Sequence, residues 1–496
     1  MTRIKPSLFI LLVALTLGLI WDLLFYGKPL GVSVFLFVLL LIAALFTLGR
    51  IKGMWPVWRN LWLLIPLLFF ATMVFIRANP FLTFLNLVAC LASLALFVHF
   101  YAAGWVERLG LIGYAFVPLK VAGNALVQPA SLLSDSVDLE AARERGNRNL
   151  LPVARGCLFA LPVLLVFGCF LASADLVFAK YVGDFLHLKF LSDLLERLWR
   201  GFILLVIAWI VAGGLAYALN RRHPPDDEGT LEKALGIVSR VVGPGFVEVA
   251  ILLTSVNLLF LLFVWIQFVY LFGGQANISA EGYTYAEYAR RGFFELLTVS
   301  ILAQGMILGL HQIGRREKDW QRHIFNALSS LMVGLVLIIL ASAFQRLLLY
   351  EAAFGYTQLR LYSHVFMVWL GFAFIWFLGT LWFRPNRFAI GAFVTCLGFL
   401  VTLNVINPDA FIAKQNLARY ETTGKLDAYY LTQLSDDAVP TLVWKVGQIT
   451  GEEQRILTDH LYSRLGRKEM QYGWRRWPAF HLSRLRAYKL LVESQR

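Results

Sequence analysis

Charged side chains are scarce in this chain of 496 residues. Asp, Glu, Lys and Arg make up 15% of it, whereas hydrophobic residues make up 59%. A soluble domain of this length covers its surface with far more charge. The composition therefore excludes an ordinary soluble domain.

Motifs for metals, nucleotides and covalent catalysis are also missing. The four cysteines all lie within apolar segments, and neither CxxC, HxxxH nor HExxH occurs. Cysteines in such segments are typical packing residues. GxGxxG, GxxxxGK[ST] and GxSxG are absent as well. We therefore expect no metal, no nucleotide and no other cofactor.

What the chain does contain is a series of long apolar runs. A run of about 20 apolar residues is long enough to cross a bilayer as a helix, and the mean hydropathy is +0.66. Eleven spanning helices are predicted, at roughly 7–26, 30–48, 60–77, 81–103, 157–175, 201–219, 247–272, 291–312, 323–345, 364–382 and 386–405. The first is too long for a signal peptide and has no small-x-small cleavage site, so we expect it to stay as an uncleaved helix. The predicted fold is all-α, a polytopic transmembrane helical bundle.

Four parts follow along the chain. They are a four-helix transmembrane part at 1–103, an inner amphipathic or re-entrant loop at 104–156, a seven-helix transmembrane core at 157–405 and a helical extramembrane tail at 406–496. The loop is apolar but is expected to break at Pro118 and Pro129. In the tail, Asn407 is expected to cap a helix that has Pro408 at its first position and ends at Gly424.

The distribution of positive charge predicts the orientation. With the N-terminus inside, the inner loops hold 21 Lys and Arg residues, the outer loops 10 and the tail 14, which together make the 45 of the chain. Excess basic charge marks cytoplasmic loops, although long tails cross largely regardless of charge. We expect a cytoplasmic N-terminus and an outer tail. One helix more or fewer would move the tail to the other side.

A charged stretch, "YTYAEYARRGFFEL", lies at the start of an apolar helix. Thr284 and Glu287 form a capping box, which predicts that a helix begins there. Glu287, Arg291 and Glu295 then recur every four residues on one face, with Tyr285 placed as an interfacial aromatic. On spacing alone, a well-capped helix start is favoured over a binding site.

Other polar residues fall at predicted outer helix ends. Together with the charged stretch they define a candidate outer-face site, which consists of Asp175, Tyr285, Glu287, Arg291, Glu295, Arg346, Tyr350, Arg360, Tyr362 and Asp409. Deeper in the same predicted helix, Gly305 and Gly309 form GxxxG, a pattern that lets another helix approach closely.

Several of these stretches also carry a family resemblance. "GYTYAEYARRGFFEL", "LYEAAFGYTQLRLYSHVFMVWLG", "SADLVFA", "NPDAFIAKQNLARY" and "LDAYYLTQLSDDAVP" resemble a bacterial integral membrane family, domain of unknown function 4173, related to the 4153 group. The resemblance covers about residues 120–445 and implies a protein of the bacterial cytoplasmic membrane, without an assigned activity. Leu176 stands where that pattern usually has proline.

Three functions stay open. The first is transport or lipid handling, which polar residues within the spans support weakly. The second is a membrane-embedded enzyme acting on an envelope precursor. It is the less favoured, because carboxylates paired with arginine suit structure better than proton transfer. The third is a non-catalytic sensor or scaffold whose tail binds another membrane or envelope protein, or anionic lipid. Membrane lipids are expected partners, and nucleic acid is not.

Overall fold

The computed structural model is all-α. It describes residues 6–136, 189–220, 244–272, 293–314, 316, 318–383, 387–466 and 477–494, together with 167, 171, 173–175, 177 and 180. Among these residues there are sixteen α-helices and no strand. The helices are α1 (Pro6–Phe25), α2 (Val32–Ile51), α3 (Leu64–Ile76), α4 (Pro80–His99), α5 (Leu111–Ser136), α6 (Lys189–Asn220), α7 (Phe246–Phe272), α8 (Phe293–Ile313), α9 (Asp319–Phe354), α10 (Gln358–Phe383), α11 (Phe388–Ile406), α12 (Pro408–Thr423), α13 (Ala428–Gln433), α14 (Val439–Lys445), α15 (Glu452–Leu465) and α16 (Leu482–Glu493).

The helices confirm the predicted fold class. Eleven of those in the described part of the chain are long and apolar enough to cross a membrane. Ten coincide with predicted spans. The eleventh lies at 111–133 and was not among them, whereas the predicted span at 157–175 lies outside the described residues apart from a few isolated positions. The chain is therefore a multi-pass membrane protein.

Helix α5 differs from the expectation of a broken loop. It runs without interruption through Pro118 and Pro129. A proline removes one backbone donor and clashes with the preceding turn, but a long apolar helix keeps its remaining hydrogen bonds on either side, and in a membrane it cannot leave them unpaired. Its hydropathy of 1.2 is the lowest among the eleven helices. The boundaries at 103, 156 and 405 stay predictions.

The chain divides into two compact units. The first comprises 1–29, 36–56 and 119–222. In it α1 packs along α6, where the lack of a side chain at Gly18 lets the helix lie against Ala208, and a Cβ at Gly18 would be 3.0 Å from the Ala208 Cβ. One turn further on, the Arg200 guanidinium binds the Asp22 carboxylate through two hydrogen bonds of 2.6 and 2.5 Å.

The second unit comprises 30–35, 57–118 and 223–496. Its largest core is formed by α7, α8, α9 and α10, and it is built from aliphatic and Phe side chains such as Ile307, Val336 and Phe374, which are fully buried. Helix α3 packs against α4, and α10 packs against α11. Helix α4 also contacts α11, and Leu82, Val365 and Leu403 pack together. The start of α4, the start of α10 and the end of α11 therefore meet in this unit.

The tail folds as a helical module within this second unit. Its core is formed by α12 to α16 and includes Ile412, Leu431 and Leu461, together with Leu361 from α10. Asn407 adopts the left-handed conformation (φ 56°) and is both the last residue before α12 and the residue that ends α11. The predicted helix with Pro408 at its first position and Gly424 at its end is confirmed, although the Asn407 side chain makes no capping hydrogen bond.

Candidate functional site

A buried carboxylate joins the tail to the membrane helices. Asp409 lies in the first turn of α12 and is fully buried. It accepts hydrogen bonds from Asn79 Nδ2 at 3.0 and 3.1 Å, from Gln358 Nε2 at 2.7 Å and from the Ser435 backbone N–H at 3.0 Å. These three donors come from the loop before α4, from the start of α10 and from the tail. Both oxygens of the Asp409 carboxylate thus accept hydrogen bonds from protein groups.

A second carboxylate lies next to the first. Asp437 is 4% exposed and accepts from the backbone N–H groups of Ala78 (2.7 Å) and Asn79 (3.3 Å), as well as from the Ser483 hydroxyl. Burial raises the pKa of Asp437, although the Ser483 and Ala78 hydrogen bonds and the Arg77 charge act in the opposite direction. We call Asn79, Gln358, Asp409, Ser435 and Asp437 the carboxylate cluster.

Asn79 connects the two carboxylates. It is the N-cap of α4, where its Oδ1 accepts from the Leu82 N–H at 2.9 Å and Pro80 occupies the first helical position. Its side-chain amide donates to Asp409, and its backbone donates to Asp437. An N-cap with a following proline fixes the chain direction at a helix start. The cluster is fully hydrogen-bonded at its carboxylates, which is the pattern of a structural joint.

A buried acid–histidine pair lies on the two neighbouring helices. Glu351, near the end of α9, is fully buried, and His364 of α10 is 8% exposed. Glu351 Oε1 and His364 Nδ1 are 3.1 Å apart, and the Phe344 ring packs against the imidazole with centroids 4.4 Å apart. His364 Nε2 is buried and has no hydrogen-bond partner among the described residues. We call Glu351 and His364 the acid–histidine pair.

Tyrosine and arginine side chains occur on the same stretches of α9 and α10 and on the turn between them. The Arg360 guanidinium lies 4.0 Å from the Tyr350 ring centroid and donates to the Gly355 carbonyl. Arg346 is one turn before Tyr350 on α9 and is 8% exposed. Burial and the neighbouring Glu351 carboxylate raise the pKa of the Tyr356 hydroxyl. The region therefore combines buried groups of both signs with aromatic faces, a composition that suits binding of a polar or charged group.

The structure brings five of the ten predicted site residues to one end of the second unit, whereas three of the other five lie outside the described residues. Those that lie at this end of the second unit are Arg346, Tyr350, Arg360, Tyr362 and Asp409. Asp175 is exposed and belongs to the first unit. Glu295 is exposed at the start of α8, and no ion pair among the described residues involves it. Tyr285, Glu287 and Arg291 lie outside the described residues.

The predicted packing motif in α8 is open in the part of the chain that the structure describes. A Cβ added to Gly305 or Gly309 would meet no atom within 4 Å. Any helix that uses this GxxxG pattern would have to come from residues outside the described ranges or from another molecule. Its role in helix packing stays a prediction.

Residues that the sequence did not single out complete the site. Asn79, Gln358, Ser435 and Asp437 were not predicted, although Asn79 carried a signal. Asn-Pro occurs at 79–80 and again at 407–408, and both steps begin helices at the carboxylate cluster. No group of three or more His, Cys, Asp or Glu suited to a metal occurs in the described ranges, and the two carboxylates of the cluster are occupied by hydrogen-bond donors.

Comparison with known proteins identifies a family whose activity is not known. The sequence model of a family described as "Domain of unknown function (DUF4153)" matches residues 64–443. This is the group named above as related to family 4173, and the narrower resemblance to 4173 stays a prediction. No curated protein and no solved structure matches the chain. The matched range contains the acid–histidine pair and all five residues of the carboxylate cluster.

Proposed function

The chain belongs to the DUF4153 family of unknown function, and we propose that it is a transport or lipid- and envelope-handling protein of the bacterial cytoplasmic membrane. In this proposal the acid–histidine pair is the functional site, and Arg346, Arg360 and Tyr350 bind the polar part of the substrate. The carboxylate cluster holds the tail against the membrane helices and so fixes the positions of the helices that carry the site.

The observation that carries the proposal is the burial of the acid–histidine pair, in which His364 Nε2 has no hydrogen-bond partner in the described part of the chain. Ionisable groups at membrane depth are costly and by default indicate a functional site. Glu351 fixes the His364 ring through Nδ1, which leaves Nε2 able to accept or deliver a proton or to bind a substrate donor. Most buried histidines with a structural role have both ring nitrogens hydrogen-bonded. A protonatable pair next to arginines suits a substrate that carries a negative charge.

The orientation belongs to the proposal too. A cytoplasmic N-terminus and an outer site and tail follow from eleven crossings and from the two-to-one excess of basic residues in the inner loops. The 14 basic residues of the tail argue against this side, since basic segments are retained inside more easily. The continuous helix α5 bears on the same question, because a crossing by α5 in addition to 157–175 would place the tail inside.

The experiment uses a strain that lacks the protein. Its lipids and envelope precursors are compared with those of the parent strain by mass spectrometry, and membrane vesicles are then tested for movement of whichever component accumulates. We expect plasmid-borne wild type to restore the composition, and Glu351→Gln and His364→Gln to restore it at least ten-fold less well at equal protein level. His323→Gln is the matched control, because His323 is exposed and its ring nitrogen Nδ1 contacts the carbonyl oxygen of Asp319 on its own helix (2.8 Å).

Full restoration by both Glu351→Gln and His364→Gln would refute the proposal. So would an accumulating component that does not move across vesicles containing the wild-type protein. Thermal melting of each purified variant separates a loss of function from a loss of folding.

A scaffold or sensor is the alternative, and the surface of the tail favours it. Tyr429 and Trp444 of the helical module are 67% and 75% exposed. Large exposed aromatics are enriched at protein interfaces, so they would suit another membrane or envelope protein. A partner that co-purifies with wild type and is lost with Trp444→Ala, while the composition of the deletion strain is normal, would favour this reading over transport.

A further inference from the structure

A large apolar groove lies in the second unit, between the second half of α10 and the first half of α11. Its volume is about 860 Å³, and its walls are mostly aromatic and aliphatic, with Trp62, Trp369, Phe372, Trp376 and Val394 among them. Ligand pockets in proteins have volumes of about 300–1,000 Å³. The groove is thus large enough for a substantial part of a long-chain molecule.

The sequence builds this groove with glycine–tryptophan pairs. A Cβ at Gly391 would overlap the Trp376 indole, and a Cβ at Gly398 would overlap that of Trp369. The two glycines of α11 therefore let two indoles of α10 approach its backbone closely. Trp376 Nε1 also donates to the Arg387 carbonyl at 3.1 Å. Because these rings are held in place, the groove is preformed.

One end of the groove carries two opposite charges. Arg387 immediately precedes α11, and Glu107 belongs to the 3-10 helix Val106–Arg108, which contacts α11. They are the two charged residues among those that line the groove in the described part of the chain, and they form no ion pair with each other there. The groove thus has one positively and one negatively charged side chain at one end, and its other walls are mostly apolar.

We propose that this groove binds one phospholipid with a primary-amine, zwitterionic headgroup. The acyl chain lies along the indoles, the phosphate meets the Arg387 guanidinium, and the ammonium meets the Glu107 carboxylate. Arginine binds phosphate oxygens in a fork geometry. Moving a lipid chain from the bilayer to the groove gains little hydrophobic energy, because the bilayer is equally apolar. The headgroup contacts therefore decide which lipid stays bound.

This site is independent of the proposed function. The acid–histidine pair and the carboxylate cluster lie where α10 begins and α11 ends, whereas the groove lies where α10 ends and α11 begins. One site can fail its test without affecting the other.

The test is native mass spectrometry of the full-length protein, delipidated in detergent and titrated separately with dioleoyl phosphatidylethanolamine and dioleoyl phosphatidylglycerol. We expect one phosphatidylethanolamine to bind at least ten-fold more tightly than phosphatidylglycerol. Glu107→Gln should remove that preference, and Arg387→Gln should weaken both lipids at least five-fold. Val394→Trp fills the groove and should lower binding of both at least ten-fold. Ile338→Trp is the control, because Ile338 is 43% exposed on α9 and does not line the groove.

Three results would overturn the proposal. The first is equal or tighter binding of phosphatidylglycerol, which would show that Glu107 does not select the amine. The second is binding of phosphatidylethanolamine that Val394→Trp leaves unchanged, which would place the lipid elsewhere. The third is no bound lipid at all, which would indicate that another segment of the chain or another protein fills the groove. Melting temperatures confirm that each variant is folded, and the Glu107→Gln arm stays informative if Val394→Trp is not.

Discussion

Replacing Asp409 with alanine tests the role of the carboxylate cluster most directly. The substitution removes the acceptor for Asn79 Nδ2, Gln358 Nε2 and the Ser435 backbone N–H. All three donors would then be left in a buried place, since Asp409 itself is fully buried. An unsatisfied buried donor costs about 1–3 kcal/mol. Allowing for some relief by water, we expect a loss of about 3–5 kcal/mol, in line with breaking other buried polar networks.

We expect the loss of stability to open the tail before the rest of the protein unfolds. Two of the three donors come from the membrane helices and their loops, and one comes from the tail, so the tail should detach first. Hydrogen exchange of α12 to α16 and limited proteolysis of the tail measure this opening in the purified protein. Asp409→Asn keeps one acceptor oxygen and should cost less, about 1–2 kcal/mol.

Asp459→Ala is the matched control for Asp409→Ala. Asp459 is on α15 of the same tail, its side chain is 73% exposed, and its contact with Arg455 is 3.8 Å. Exposed pairs of this kind contribute about 0–1 kcal/mol. The reasoning fails if the backbone amides of the tail exchange no faster in the Asp409→Ala variant than in the Asp459→Ala variant. It also fails if the effects of Asn79→Ala and Asp409→Ala simply add, because residues in one network should show a coupling of about 0.5–3 kcal/mol.

Three further predictions concern pH, packing and topology. Burial, with a smaller effect of the Arg484 charge, lowers the pKa of His481 to about 4 from 6.5. Its folded form therefore resists protonation, and stability falls as pH decreases from about 6.5 to 4, by about 2 kcal/mol at pH 5. His481→Asn keeps an N-cap acceptor and should flatten the melting temperature between pH 7 and 5 relative to His323→Asn, whereas an unchanged slope would contradict this. Gly305→Ala should raise stability by about 0.5–1 kcal/mol through helix propensity, and a loss in thermal melting would instead show that a helix uses the GxxxG face. Alkaline phosphatase fused after Arg496 should be active if the tail is outside, and an inactive but stable fusion would mean that the number of crossings is even.

The amino-acid sequence was sufficient to predict the fold class and most of the spans. Crossing a bilayer depends on the length and hydropathy of one continuous segment, so ten of the eleven helices could be located without knowing their neighbours. The start of α12 at Pro408 and its end at Gly424 were also predictable, since a proline at the first position and a left-handed glycine at the end act through local backbone geometry. These features need no information from distant parts of the chain.

Local rules failed where packing or the membrane overrides them. Pro118 and Pro129 predicted a break, but α5 is continuous. Proline weakens a helix by removing one hydrogen bond, whereas an interrupted helix in an apolar environment would leave several backbone groups unpaired. The larger cost decides the outcome, and it depends on surroundings that the local sequence does not specify.

The grouping of polar residues into a site depends on helix packing, which local sequence patterns do not specify. The sequence grouped Asp409 with Glu295 and Asp175 because all three fall at predicted outer helix ends. The structure instead pairs Asp409 with Asn79, which is 330 positions away along the chain. A buried carboxylate takes whichever donors the packing of helices brings within about 3 Å, and that packing is set by contacts between distant segments. Residue type and spacing could therefore identify Asp409 as a candidate, but its partners, and with them its role, depend on how α4, α10 and α12 meet.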